Sequence, residues 1–178
     1  MSAIVSGLPL VDPAKGLRPA NRAYAAVLRT PVGRWASINV APRIDPTLLK
    51  LSGGKVSSGM VLPTALLTTI GAKSGAERVV PVLYFHDTDG GGTDVIIIAS
   101  SYGRDKHPAW YHNIRAHPRV QISKAGGGEW RTASIVEDPA EQQRLWAMAD
   151  TVFPLYANYR ERAAAVNRTI PLIRISQQ

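Results

Sequence analysis

The sequence contains no cysteine, which excludes disulfide frameworks, thiolate metal sites, iron-sulfur clusters and thiol catalysis. Any redox chemistry must therefore be borrowed from a cofactor. No stretch approaches the roughly 18 apolar residues that a membrane-spanning helix needs. The leading segment also lacks a basic region followed by an apolar core, so neither secretion nor membrane insertion is expected and a cytoplasmic setting is. No G-x-G-x-x-G follows a strand-like run and no G-x-x-x-x-G-K-[ST] occurs, which removes sequence support for Rossmann and P-loop sites. No internal repeat is visible.

What is present describes one ordinary globular domain. The 178 residues are 45% hydrophobic and 19% charged, and the mean hydropathy is near zero, enough to close a single core without a structural metal. The net charge of +8 is unevenly placed, because residues 1–60 hold eight lysines or arginines against Asp12 and Asp45. A basic leading segment attracts a polyanion: nucleic acid, an anionic lipid surface, or a cofactor with phosphate and carboxylate groups. Nucleic acid is disfavoured, since the segment has no aromatic interleaving and no recognisable binding motif. A solvated basic surface is the plain alternative.

Residues 1–20 carry Gly7, Pro9, Pro13, Gly16 and Pro19 with little periodicity, and are expected to form a flexible basic lead-in before a single domain over 21–178. Amphipathic spacing predicts a helix from Asn21 to about Leu28, with Tyr24, Val27 and Leu28 on its buried side, and a second from Asp45, with Pro46 in its first turn. The period then changes. Short β-branched or aromatic runs at Ala65–Ile70, Arg78–Phe85, Val95–Ala99, Arg119–Lys124, Glu129–Val136 and Ile170–Ile175 predict six strands. Between them, His107-Pro108 opens a short helix over Ala109–Arg115, and Ala125–Gly128 closes a hairpin. Asp138-Pro139-Ala140-Glu141 resembles a capping box that starts a helix through Leu145, Trp146 and Ala149, which Pro154 bends or restarts. Six strands without regular β-α-β alternation predict an α+β protein built on a small, mainly antiparallel barrel with flanking helices.

The turn between the first two of these strands is chemically loaded. Gly71 and Gly75 permit backbone shapes in which successive N–H groups converge on an anion, Ser74 adds a hydroxyl, and Lys73 and Arg78 add charge. Such a turn suits a phosphate. A plain hairpin with solvated cations at its tip has the same composition.

The run Leu67-Thr68-Thr69 through Lys73-Ser74-Gly75 to Arg78, then Pro81 and Tyr84, resembles the cofactor-phosphate segment of the deazaflavin-dependent nitroreductases. Ala99-Ser100-Ser101-Tyr102-Gly103 and Lys106-His107-Pro108-Ala109-Trp110-Tyr111-His112-Asn113 resemble that family's Ser-x-Gly-Gly segment and its Lys-x-Pro-x-Trp-Tyr-x-Asn helix. Phe153–Tyr159 and Arg168–Pro171 resemble its tyrosine-bearing lid and closing strand. The similarity covers about residues 20–175 and implies a split β-barrel that binds reduced coenzyme F420.

Carried over residue by residue, the resemblance implies that Lys73, Ser74 and Arg78, with the amides from Ala72 to Gly75, hold the deazaflavin phosphate by charge-assisted bonds. It implies that Ile98, Ala99, Ser100, Ser101 and Tyr102 run along the deazaflavin ring, with Ser100 near the reacting edge. Ala109, Trp110, Tyr111 and Asn113 would wall the same pocket, and Tyr156 would face the substrate as an orienting group or proton donor. The basic N-terminus would meet the cofactor's oligoglutamate tail. Ala72, Ser101 and Tyr102 stand where the family often has Arg, Lys and Gly. Leu83 and Phe153 replace tyrosines of better-known members, leaving a more apolar substrate wall. That favours a quinone, or an enone or unsaturated lactone, over a nitroaromatic acceptor.

Without the resemblance, Trp110 and Tyr111 read as core aromatics, and Tyr156 and Tyr159 as a helix face packed on the barrel. His107, His112 and His117 are spaced five apart, which is not the i, i+4 pattern of a helical metal site, so no metal is expected. Two rivals stand beside the reductase. One is an FMN-binding split-barrel oxidoreductase; the other is a non-enzymatic deazaflavin carrier or membrane-surface module. The expected protein is a monomer or homodimer with a small conjugated acceptor, in peripheral contact with anionic membrane through its basic N-terminus.

Overall fold

The computed structural model describes residues 4–5, 8–15, 26–27, 30, 32–33, 62–89 and 92–176. A small hairpin, β1 (Ile4–Val5) and β2 (Leu8–Pro9), precedes a six-stranded barrel. The barrel strands are β3 (Thr64–Ile70), β4 (Glu77–Asp87), β5 (Asp94–Ile98), β6 (Arg119–Ser123), β7 (Arg131–Ile135) and β8 (Leu172–Ser176). They close in the order β3-β4-β5-β8-β7-β6, with every pair antiparallel. Helix α1 (Ala109–Ala116) lies between β5 and β6, and α2 (Pro139–Val152) and α3 (Tyr156–Ala164) lie between β7 and β8. All six expected strands are present, which makes the chain an α+β split barrel. Among the described residues, no helix is long and apolar enough to cross a membrane.

Strand periodicity sorts the core into two parts. Leu67, Tyr84, Val95, Ile97, Ile173 and Ile175 fill the barrel interior, joined by Trp110 and Ile114 of α1. On the outer face, Phe85, Ile96 and Leu172 pack against Leu145 and Ala149 of α2 and Tyr159 and Ala163 of α3. A strand covered on both faces needs no polar alternation, hence the unbroken run Val95-Ile96-Ile97-Ile98. Each fully buried side chain of this size contributes about 1.5–3 kcal/mol.

The helices begin and end for local reasons. Asp138 caps α2, its Oδ1 accepting from Glu141 N at 2.7 Å, with Pro139 in the first turn. The expected capping box is only half made, because the Glu141 carboxylate bonds Arg174 instead of turning back. Pro154 separates α2 from α3. Arg160 fastens the two, gripping Asp150 with both terminal nitrogens at 2.9 and 2.6 Å and lying 4.4 Å from the Trp146 ring centre.

The lead-in departs from expectation over residues 8–15. Leu8 is fully buried, Tyr84 Oη donates to Pro9 O at 2.9 Å, and Val11 exchanges bonds with His86, its N donating to Nδ1 at 3.1 Å and its O accepting from His86 N at 2.9 Å. Proline and glycine break periodicity, yet the few apolar groups between them find a site on the barrel. The helix expected from Asp45 lies outside the described residues, as does that over Asn21–Leu28 apart from Ala26 and Val27, which are helical and exposed; Val27 is thus not on a buried side.

Candidate functional site

The strands close into a barrel, but among the described residues register leaves part of β4 without a strand neighbour on one side. The β3–β4 ladder runs from Thr64↔Leu83 to Ile70↔Glu77, but β5 pairs with β4 only from Tyr84↔Ile97 to Asp87↔Asp94. The first half of β4 therefore has no strand partner on that side among the described residues. Pro81 lies in this stretch, where a missing N–H costs no ladder bond on the open side. Antiparallel pairing puts the 71–76 turn, the end of β5 and the starts of β6 and β8 on the same rim. The split lies between the 71–76 turn and the segment that follows Ile98, and α1 bridges the two.

The 71–76 turn is built from its own backbone. Gly71 N donates to Ala76 O and Gly75 N to Gly71 O, both at 2.8 Å. Gly75 has φ +67 and open space where a Cβ would stand. Ser74 Oγ accepts from Ala76 N at 3.4 Å, which leaves its proton free to be donated outward. Asn113 of α1 braces the turn from below: its Oδ1 accepts from Ala72 N and its Nδ2 donates to Thr69 Oγ1, each at 3.0 Å.

Those bonds correct the expected anion site. The amides of Ala72 and Gly75 are already engaged, so they do not face an anion. The amides of Lys73 and Ser74 have no such partner among the described residues. Lys73 and Arg78 are exposed, and neither forms an ion pair among the described residues. Two amides, a hydroxyl, an ammonium and a guanidinium are all donors, and a phosphate, which offers only acceptors and negative charge, fits that set. Asn113 thus braces the turn with both ends of its amide.

The second turn follows β5. Ala99 N donates to Pro171 O, Ser100 N to Ile98 O, Gly103 N to Ser100 O and Arg104 N to Ser101 O. Ser101 and Tyr102 adopt φ 47 and 56, a left-handed shape that costs a non-glycine residue about 1–2 kcal/mol. The Tyr102 ring is held edge-on to Tyr159 at 6.1 Å. The Ser100 side chain is partly exposed. Ile98 and Ala99 turn their side chains into the core, leaving only their backbone to line a pocket. Ala109 is exposed at the start of α1. Trp110 and Tyr111, each 9% exposed, pack in the barrel core.

Tyr156 is 4% exposed, enclosed by Phe153 at 5.1 Å, Trp146 at 6.1 Å and Tyr159 at 6.2 Å. Burial, with the neighbouring Tyr159, pushes its phenol well above the ordinary range. The phenol packs among these three rings. Tyr156→Phe is accordingly expected to keep turnover within about threefold, whereas a proton-relay role predicts a loss of 10²–10⁴-fold; steady-state kcat decides.

Two contributors escaped the sequence reading. Thr69 is a fully buried polar group on an apolar strand, a position that signals a buried hydrogen bond. Arg168, quoted only as part of the closing segment, is 7% exposed and bonds the second turn directly.

Barrel, rim and turn define a split-barrel protein with a donor-rich turn beside the part of β4 unpaired on one side. A family model described as F420H(2)-dependent quinone reductase matches residues 42–177, and the chain belongs to that family. It is an oxidoreductase that depends on reduced coenzyme F420. An F420H(2)-dependent quinone reductase of Mycobacterium tuberculosis is 28% identical over 155 residues, spanning 83% of this chain and 99% of that one. The solved structure of an F420-H2 dependent reductase, FDR-A, is 34% identical, covers 64% of this chain and 94% of its own, and superposes with a TM-score of 0.53. Another solved chain, described as a domain-swapped dimer, matches at 34% identity over 64% of this chain and 80% of its own, also with a TM-score of 0.53.

Proposed function

We propose that this reductase delivers a hydride to a quinone across the split, with the cofactor phosphate held at Lys73, Ser74 and Arg78 and the Ser100–Tyr102 turn beside the reacting ring. When bound, reduced coenzyme F420 supplies the two electrons together as hydride. The single observation behind this reading is that an all-donor turn and a partly exposed serine occupy one rim of an open barrel wall, joined by α1. Lys73 and Arg78 bind and neutralise the anion, while Asn113 fixes the turn so that little ordering remains at binding. The Ser100 hydroxyl orients polar edges of the ring or acceptor.

A quinone that gains a hydride also needs one proton to become a hydroquinone. With Tyr156 enclosed, that proton comes from water at the open edge. Leu83 packs against the outer cluster to which Phe153 belongs, and an apolar neighbourhood of this kind suits a flat quinone better than a polar nitroaromatic. A cytoplasmic enzyme with peripheral lipid contact through the basic lead-in is part of the same proposal: Lys15 there is 76% exposed and reaches Asp12 only at 3.7 Å.

The test follows absorbance of reduced coenzyme F420 with purified protein against quinones, enones and nitroaromatics. Quinone-dependent oxidation by the wild type is expected. Tight binding without oxidation supports a carrier instead, and a yellow flavin retained through purification supports FMN.

A further inference from the structure

Arg168 lies between α3 and β8, and its guanidinium is spent entirely on one neighbourhood. Nη2 donates to Ala99 O, Nη1 donates to Ser100 O at 3.0 Å and to Arg104 O at 2.7 Å, and Nε donates to His107 Nδ1 at 3.1 Å. None of these acceptors is charged, and among the described residues no carboxylate lies within ion-pair distance. A largely buried cation with only neutral acceptors is costly to desolvate and is a poor stabiliser in itself. What it holds is, among the described residues, the stretch with consecutive left-handed non-glycine residues, Ser101 and Tyr102, whose flanking Ala99, Ser100 and Arg104 carbonyls converge on one rigid fork.

The bond to His107 fixes more than position. Arginine Nε always carries its hydrogen, so His107 Nδ1 must offer its lone pair, and the imidazole proton must sit on Nε2. Protonating Nδ1 would break the bond and set a second cation against the guanidinium. Three basic groups around His107 act the same way, and one carboxylate acts on Arg168. Arg168 comes from the α3–β8 connection, and His112 and Arg115 from α1, where the Tyr111 ring lies tilted against that of His107 with centres 4.6 Å apart. Asp105 acts on Arg168 from the intervening loop. Burial first, and then these cations, hold His107 below its ordinary range.

We propose that Arg168 and His107 form a positioning pair: the guanidinium imposes the left-handed Ser101–Tyr102 turn that shapes the cofactor site, and it does so only while His107 is neutral with its proton on Nε2. The consequence for catalysis rests on the proposed function above; the tautomer and the clamp do not.

The test therefore starts on cofactor-free protein. Long-range ¹H–¹⁵N spectra of the wild type should show His107 as the Nε2–H tautomer, titrating below the ordinary histidine value of 6.5. An Nδ1–H tautomer, or titration at the ordinary value, overturns the proposal. Amide exchange at Gly103 and Arg104, whose N–H groups close the turn, should quicken about tenfold or more in Arg168→Lys and His107→Leu. In His107→Gln, whose amide oxygen still accepts from Nε, it should stay near wild type. Equal protection in all four proteins overturns it too, and if Arg168→Lys fails to fold, the two His107 variants and the wild-type spectra still decide.

Cofactor binding supplies the functional arm. Affinity for coenzyme F420 in the wild type should fall as pH drops through the His107 titration, and it should be flat over that window in His107→Gln. A wild type that binds no deazaflavin at any pH defeats the proposed function while leaving the spectral and exchange results to judge the clamp.

Discussion

Replacing Lys73 and Arg78 together by alanine is expected to weaken coenzyme F420 binding by about 30- to 150-fold, the equivalent of about 2–3 kcal/mol. Each charge-assisted bond to a phosphate contributes about 1.5–3 kcal/mol when well enclosed. Both side chains are exposed, so solvent screening puts the pair at the lower end of that range. The measurement is a fluorescence or calorimetric titration of the cofactor at low and high salt. Wild-type affinity should fall steeply with ionic strength and the double variant's should not. Thermal stability should be unchanged, since neither group takes part in an ion pair among the described residues. An unchanged dissociation constant would reduce the turn to a plain hairpin with solvated cations, and the proposed cofactor placement would go with it.

The largest effect on stability should come from the opposite end of β4. The Asp87 carboxylate, 7% exposed, bonds Arg144 at 2.7 Å through both oxygens and Arg174 at 2.6 Å. Asp89 adds to Arg144 at 2.7 Å and Asp94 to Arg174 at 2.8 Å, with Glu141 also on Arg174. This network ties α2 to the barrel. Asp87→Ala leaves two partly buried guanidinium groups short of their shared partner. Since Asp89, Asp94 and Glu141 remain, the expected cost is about 3 kcal/mol, the low end for a broken buried pair. For a domain of this size that lowers Tm by about 6–12 °C, readable by calorimetry.

The same carboxylate predicts an acid limb. The Arg144 hydrogen bond, helped by Arg174 and opposed by burial, lowers the Asp87 pKa from an ordinary 3.8 to about 2. A depressed carboxylate stabilises the fold fully above its unfolded value and loses that contribution as pH falls through the folded one. Stability should therefore drop by about 2 kcal/mol between about pH 4 and pH 2. In Asp87→Asn that part of the drop should be absent, and an unaltered acid limb would remove Asp87 from its cause.

Local chemistry carried much of the architecture. The β-branched runs found their strands within a few residues, because a chain segment that is apolar on both faces has few alternatives to a covered sheet. Asp138-Pro139 started α2 and Pro154 ended it by steric and capping rules that act within one turn. The donor-rich turn at Gly71–Ala76 was equally legible, since its glycines and cations lie side by side in the chain. Less legible was anything that depended on a distant partner. Asn113 looked like a pocket wall until its amide was found spent on Thr69 and Ala72, over 40 residues away in sequence. Trp110 and Tyr156 read as core and helix-face aromatics from residue type, and only the family resemblance placed them at the site; the structure buries both rings. Leu8 looked like part of a loose lead-in, although the cavity it fills is lined by strands that come much later.

By itself, the amino-acid sequence determined the six barrel strands, the starts of α1 and α2, the lack of any thiol, and the composition of the donor-rich turn. All of these follow from short-range sterics, capping and periodicity. Only the tertiary structure decided which part of β4 lacks a strand neighbour among the described residues, that Asn113 braces the 71–76 turn, that Tyr156 is enclosed, and that Arg168 bonds the turn after β5. Register, burial and hydrogen-bond partners are set by contacts between residues far apart in the chain, and no local pattern encodes them.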